Sequence, residues 1–375
     1  SHKELLEYRL NEDFDSIHST ISEYNHLVPI DTKNLRNYII DAVSRLGNEK
    51  QGYDKTLIKN IAQAKEIMEV AKLHNNCLPH TYNQKRFNRY YASGINLQNT
   101  TSTKVREASL GKCYKYDISC ASYAFRLGYI KHHTTYPTPA LIELVEQKHH
   151  VRTRLASQCL TETTGTLEYK VKLVKTALNM IGFGANTGAF GSLKDIIWNI
   201  EDRKRFLQHQ FILDLLSELK AYSELVEHIE GKHNLKQFLQ LEPGERYSKN
   251  SAESKMYQTF ETKAMQHVFN NLNEHNPPLL WVHDCIYTSK PAGLGNLNFY
   301  LHQLSYWQYA KFEEEKVDAW QNPQNKLVEL EHAQRMAQEQ QQALQYCGAL
   351  AQTGGETQWD IRQAEKRAWE QLYDH

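Results

Sequence analysis

The sequence predicts an α+β fold, mostly helical, in which segments far apart in the chain feed one small sheet. Three observations predict it. Apolar residues recur at helical spacing through most of the chain. Residues 112–118 and 279–288 instead alternate, or climb through a short apolar run, as strands do. A long helical stretch separates these two, so there is no regular strand–helix alternation of the kind a doubly wound parallel sheet needs.

Taken in order, residues 1 to about 75 read as helical, with Leu57, Ile58, Ile61, Ala64, Ile67, Met68 and Ala71 at helix spacing. Residues 78–104, broken by Pro79, Gly94 and many Asn, Thr and Ser side chains, read as loops and short strands. Residues 112–118 read as a strand, and 139–160 and 167–181 as helices. Gly182, Gly184, Gly188 and Gly191 punctuate the next stretch, and a charged helical block runs from about 193 to 240. Residues 241–245 (Leu-Glu-Pro-Gly-Glu) form a turn, and 252–272 form a helix that Pro277-Pro278 stops. Residues 279–288 read as a hairpin with His283-Asp284 at its tip, and the aromatic-rich stretch 296–320 as helical. After Pro323 a Gln- and Glu-rich helix is expected to about residue 351, then a Gly354-Gly355 break and a last helix. No internal repeat is visible.

Composition narrows the class. A chain of 375 residues can bury a large core divided into two or three subdomains. Its 44 basic and 44 acidic residues cancel, which argues against a polyanion binder unless the charge is segregated by face. No run of 18 apolar residues and no charged-then-apolar leader are seen, so a cytoplasmic protein without a membrane span is expected. Six scattered cysteines without a C-x-x-C point to a reducing compartment. His74, Cys77 and His80 are close in sequence but lack a second ligand pair, which weighs against zinc. The pairs His132-His133 and His149-His150 read as surface residues.

Two aspartates in similar settings carry the chemistry. Asp117 ends the run Tyr114-Lys115-Tyr116-Asp117 and is followed by small residues; Asp284 sits at the hairpin tip. If their strands are neighbours, the carboxylates converge and could hold two Mg²⁺ about 4 Å apart. Either aspartate alone reads equally well as a strand or turn cap. Between them lies a helix, residues 170–184, on which Lys172, Lys175, Asn179 and Phe183 share one face at steps of three and four. Such a stripe could carry a triphosphate along its cations and stack a base on its ring; an ordinary amphipathic helix would look the same. The glycines after it follow a helix rather than a strand and lack G-K-[ST], so a phosphate-cradling P-loop is a weak reading.

These residues resemble a known family. Arg89, then Asn96-Leu97-Gln98-Asn99 seven residues on, then Arg106 and Tyr116-Asp117-Ile118-Ser119 look like the start of the palm in family A (DNA polymerase I-like) polymerases. Lys175 with Phe183-Gly184 eight residues later resembles that family's second motif, and Val282-His283-Asp284 its third. The resemblance covers roughly residues 85–290, and Lys175 follows Asp117 by 58 residues while Asp284 follows Lys175 by 109.

The resemblance implies a right-hand polymerase fold and template-directed nucleotidyl transfer. The implied parts are a helical thumb-like domain (1–80), palm (81–135 and 246–322), fingers (136–245) and a helical C-terminal extension (323–375). Asp117 and Asp284 would bind two Mg²⁺, or Mn²⁺ in their place, with help from the Ile118 carbonyl. Lys175 would contact the triphosphate and is a candidate proton donor to pyrophosphate; Lys172, Asn179, Phe183 and Ser122 would complete the nucleotide site. Arg89, Asn96, Gln98, Arg106, Gln258 and His283 would face nucleic acid. Implied partners are a DNA template-primer (or RNA) and nucleoside triphosphates, with a replication partner docking on the C-terminal helices as a further expectation. Only about 80 residues precede the palm, too few for a proofreading exonuclease, which suggests replication of a phage, plasmid or mobile element. A basic cleft (Arg86, Arg89, Arg106, Lys172, Lys175) is expected opposite acidic helices.

The departures concern the sugar and the phosphates. The family's arginine four residues before the lysine is Val171, with Lys170 and Lys172 as substitutes that offer point charges rather than a fork. The family's glutamate gate, five residues after the first aspartate, is Ser122, and the tyrosine that packs on it is Phe183. A small gate residue also resembles single-subunit phage-type RNA polymerases, although Phe183 lacks their tyrosine hydroxyl. A primase or RNA polymerase of the same fold, and a non-catalytic nucleic-acid-binding relic, therefore stand as alternatives.

Overall fold

A computed structural model of the chain describes residues 23–48, 54–84, 89–98, 102–188, 191–239, 246–272, 276 and 278–320. The expected turn at 241–245 and the helices expected after Pro323 lie outside the described residues. The elements are mostly helical with two small antiparallel sheets.

The first described segment is a strand, β1 (Glu23–Pro29), which corrects the expectation of helix through residue 75. It pairs along its whole length with β2 (Cys77–Gln84), and β2 with the short β3 (Tyr90–Ala92). Val28 is fully buried, yet a seven-residue strand with one buried branched residue leaves little period-two signal beside two long helices. Those helices are α1 (Thr32–Asn48) and α2 (Lys55–Leu73). Asp31 caps α1 by accepting from Asn34 N at 2.8 Å, and Asp54 caps α2 through Thr56 N and Leu57 N.

Helix α3 (Thr103–Leu110) ends at Gly111, whose φ of 69° and ψ of −147° lie in a region that glycine alone enters readily. It leads into β4 (Cys113–Ile118), the inner strand of the second sheet. That sheet has the order β5–β6–β4–β7, all antiparallel, with β5 (Pro278–Val282), β6 (Cys285–Thr288) and β7 (Phe312–Val317). The expected helix at 296–320 is therefore corrected. The helix in that stretch ends at His302, and residues 312–317 form an edge strand. Its Phe-Glu-Glu-Glu-Lys-Val sequence has no strand propensity to read. Its partner β4 and the anchors Phe312 and Val317 decide it, and the charges blunt the open edge.

Side-chain alternation splits the sheet between two cores. Tyr116, Ile118, Trp281, Ile286 and Phe312 face one core, and Cys113, Leu280, Val282, Cys285, Tyr287 and Val317 face the other. The first face is covered by α4 (Ala121–His133), α10 (Lys249–Leu272) and α11 (Leu294–His302). The other face meets α1 to α3 at one end only. The uncovered remainder carries Lys115, Asp117, Glu313 and Glu315, on the same face by register. The first core continues into α5 (Pro139–Glu146), α6 (Lys148–Cys159), α7 (Leu167–Gly182), α8 (Ile200–Gln208) and α9 (Gln210–Leu239). The expected single helix at 139–160 breaks at Gln147, whose ψ of 37° is not helical, and α9 kinks at Gly231, with φ 74°.

Candidate active site

Strands β5 and β6 are joined by a two-residue turn, His283-Asp284, in which His283 adopts φ 55°. A positive φ at the first central residue suits the right-handed twist of a hairpin but strains a non-glycine residue by about 1–3 kcal/mol. Two bonds hold the turn in place. Trp281 Nε1 donates to the His283 carbonyl at 2.6 Å, and Ile118 N donates to the Asp284 carbonyl at 3.1 Å. The second bond ties the tip directly to the end of β4, where Asp117 pairs with Cys285. Asp117 on β4 and Asp284 in the β5–β6 turn thus lie one residue apart in register, Asp117 opposite Cys285.

Their electrostatics differ. Asp284 is half-buried, and its carboxyl is pushed up to about 7, first by burial and then by Glu261 and Asp117, against a lowering pull from Arg89. Asp117 is more open, with a side-chain exposure of 42%, and is held by Lys115 Nζ at 3.1 Å. Lys115 also pairs with Glu315 at 2.9 Å. That clamp was not legible in the sequence, because Glu315 belongs to a strand read as helix. Crowded negative charge on hard oxygen donors is what a divalent cation relieves, so the pair fits Mg²⁺ or Mn²⁺ with coordination positions left for phosphate and water. Among the described residues, no cluster of three or more His, Cys, Asp or Glu side chains is arranged around a metal position.

Helix α7 presents Lys172, Lys175, Asn179 and Phe183 on its exposed side and buries Val174, Ala177, Leu178 and Ile181. Lys172 pairs with Glu168 at 2.8 Å, while Lys175 has no ion pair among the described residues. The helix is docked by two side chains of α4. Tyr123 Oη donates to the Leu178 carbonyl at 2.5 Å, and Arg126 donates to the Gly182 carbonyl. A buried guanidinium on the last carbonyls satisfies orphan acceptors and complements the helix dipole. A Cβ on Gly182 would lie 3.0 Å from Tyr123 Cζ and Oη, so the ring would have to give by a few tenths of an ångström to admit it. Helix α4 starts immediately after β4, through Cys120 in the left-handed region at φ 49°, so α7 is anchored to the strand that carries Asp117. Arg126 also donates to the Ser122 carbonyl at 2.9 Å and lies 5.9 Å from the Phe183 ring centroid. It therefore brings Ser122 and Phe183 to one guanidinium, although its own role had no signature in the sequence.

The remaining predicted residues divide. His283, next to Asp284 in the turn, and Gln258, on α10, carry buried atoms, Nδ1 and Oε1, that have no hydrogen-bond partner. Burial, with Arg89 and Arg106 nearby, pushes the His283 imidazole down to about 4 and keeps it neutral. Arg89 forks onto Glu261 of α10 with both bonds at 2.6 Å, and Glu261 is fully buried. Asn96 and Gln98, at 0% and 3% exposure, do not face outward as expected of nucleic-acid contacts. Gln98 accepts from Ala92 N, and Asn96 donates to the Ala92 and Gly94 carbonyls, so both build the loop behind the hairpin. Arg106 closes the same loop by donating to the Leu97 and Gln98 carbonyls. Of the residues expected to line a basic cleft, Arg89, Arg106 and Lys172 are engaged within the protein, Lys175 is exposed and Arg86 lies outside the described residues. His80, weighed as a zinc ligand, is buried and accepts from Leu97 N at 3.0 Å, and burial drives its imidazole down to about 3. His133, read as a surface residue, is half-buried against Tyr129 and Tyr306.

No family model matches the sequence, and no curated protein matches it. Among solved structures, the chain is similar to the POL domain of Pol1 from M. smegmatis in complex with DNA primer-template and dNTP. Identity is 14% over 79% of this chain and 68% of that one, with a TM-score of 0.48. That likeness is too distant to carry a residue-by-residue correspondence. No helix among the described residues is long and apolar enough to cross a membrane.

Proposed function

We propose that the chain is a template-directed nucleotidyltransferase, in first place a DNA polymerase acting on a primer-template. The observation that carries this reading is the Asp117–Asp284 pair, on hydrogen-bonded strands, with the Lys175-bearing helix anchored to the same strand through Tyr123 and Arg126. Two bound Mg²⁺ would supply charge stabilisation to the attacking and leaving oxygens of the transfer. The chain's own residues would hold those ions (Asp117, Asp284 and the Ile118 carbonyl), position the triphosphate (Lys175, then Lys172 once released from Glu168) and stack the incoming base on Phe183. The unpartnered His283 Nδ1 and Gln258 Oε1 are offered to the primer terminus, since buried polar atoms cost free energy until they are paired. On this reading the β4–β6 sheet is a palm, residues 136–245 are fingers and the first helices a thumb. Replication of a phage, plasmid or other mobile element is the matching biological setting.

A second reading, a primase or RNA polymerase of the same fold, is favoured by the small Ser122 side chain, on a residue whose carbonyl shares the Arg126 guanidinium with the Phe183 ring. Primer extension with each nucleotide set, with and without primer, separates the two. Asp117→Asn and Asp284→Asn are expected to lower incorporation roughly 10³-fold, the upper range for losing one charge-stabilising group, with duplex binding retained. Incorporation at the unsubstituted rate by either variant overturns the assignment. Ser122→Glu is expected to lower ribonucleotide use at least about tenfold more than deoxynucleotide use, as a steric clash in a shaped pocket does. A wild-type protein that incorporates neither set in Mg²⁺ or Mn²⁺ would instead be a non-catalytic nucleic-acid binder.

A further inference from the structure

Helix α7 offers the proposed nucleotide only point charges, because Val171 stands one turn before Lys175. Lysine ammoniums do not grip a phosphate in two places, whereas a guanidinium does. A guanidinium is nevertheless delivered to the site from a different helix. Lys148 and Arg152 lie one turn apart on α6, and both reach the rim of the Asp117 strand. Lys148 pairs with Glu313, the residue opposite Asp117 on β7. Arg152 Nη2 lies 3.7 Å from Cys120 Sγ, in the turn that joins Asp117 to α4.

Arg152 is poorly satisfied there. Its Nε is buried and has no hydrogen-bond partner. The sulfur it does meet is a weak acceptor, 3.7 Å away. Among the described residues Arg152 has no ion pair, whereas its neighbour one turn earlier, Lys148, has one. A half-buried cation with an orphaned donor, held at the turn that follows the Asp117 strand, is built for an anion that arrives with the substrate.

We infer that Arg152 is the polyphosphate fork of this site, binding the triphosphate of the incoming nucleotide and the pyrophosphate that leaves. This inference rests on the nucleotidyl-transfer reading and deepens it. Arg152 supplies from α6 the bidentate contact that α7 lacks, held by Cys120 at the turn that follows the Asp117 strand.

The test uses the full chain and inorganic tripolyphosphate with Mg²⁺ as the probe, titrated calorimetrically into wild type, Arg152→Ala and Arg152→Lys. Arg152→Lys keeps the stem and charge and guards against a folding defect in the alanine variant. Both variants are expected to bind tripolyphosphate at least about tenfold more weakly, with the larger loss in Arg152→Ala, consistent with a lost charge-assisted pair. In primer extension the KM for nucleotide rises by a similar factor, while duplex affinity is unchanged. Wild-type tripolyphosphate affinity in a folded Arg152→Lys and Arg152→Ala overturns the inference. Normal extension by those variants overturns it while leaving the transfer reading intact. Arg152-dependent tripolyphosphate binding by a wild type that extends nothing upholds the anion site and overturns the transfer reading.

Discussion

At the scale of single residues, the most consequential group is Asp284. Its carboxyl titrates near 7 in the fold, against an ordinary value of 3.8, because it is half-buried beside Glu261 and Asp117. A raised carboxylate pKa means that the ionised form is disfavoured by folding. Between about pH 4 and 7 the folded protein binds more protons than the unfolded chain, so stability falls as pH rises through that window and is level above it. Without divalent metal, Asp284→Asn is therefore expected to stabilise the protein at pH 8, by at most about 4 kcal/mol, and to make little difference at pH 4. Urea unfolding at pH 4, 6 and 8 in a chelator measures this, and a stability difference independent of pH would contradict it. Adding Mg²⁺ should stabilise wild type at pH 8 more than the variant, since only wild type carries the charge the ion relieves. None of this was legible in the sequence. Glu261 lies far from Asp284 along the chain, and only folding places the buried Arg89–Glu261 fork beside it.

At the scale of elements, legibility follows from where each segment's stabilisation originates. The hairpin around His283-Asp284, the strand ending in Asp117 and the exposed Lys172–Lys175–Asn179–Phe183 stripe could be read because their side-chain periods are local. Strands β1 and β7 could not, because each is a strand only by virtue of its partner. The inward-facing Asn96 and Gln98 were likewise misread: a polar motif does not say whether its amides serve a ligand or the protein's own loop. The packing of α4 was equally hidden and yields a sharp expectation. A Cβ on Gly128 would lie 2.0 Å from the Tyr306 carbonyl oxygen, which is backbone and cannot swing aside. Gly128→Ala should force α4 away from the turn that leads into β7 and cost about 3 kcal/mol, the upper range for overpacking. A thermal midpoint equal to that of wild type would show that the turn yields freely.

At the scale of the whole molecule, one sheet serves both hydrophobic cores. Leu280 and Tyr287 face the α1–α3 core, while Trp281 and Ile286 on the same two strands face the other. The chain after β7 extends this coupling, with Trp320 edge-on to Tyr38 at 4.9 Å and its carbonyl accepting from Asn37. Shared strands make the cores interdependent. Leu280→Ala in one and Phe125→Ala in the other, both fully buried positions, should each cost about 3 kcal/mol and shift a single common unfolding transition. Two separable transitions, seen by tryptophan fluorescence and by far-ultraviolet circular dichroism, would refute that coupling. The neutral net charge is resolved at this scale too. Positive and negative groups are extensively paired within the described residues, Arg89 with Glu261, Lys115 with Asp117 and Glu315, and Lys148 with Glu313, so the even balance is partly spent internally.

The strand order has a consequence for how the protein comes into being. Strand β4 emerges from the ribosome early, but its two partners, residues 285–288 and 312–317, emerge only after all the helices from α4 to α10, with α11 between the two. Until then Asp117 has neither Cys285 of the hairpin nor Glu313 of β7 in register beside it. Pairings so distant in sequence form late and slowly, since loop closure must be met before the contacts reward it. The nascent chain therefore carries an open, unpaired strand until the hairpin at 278–288 has been made, and the two carboxylates meet only then.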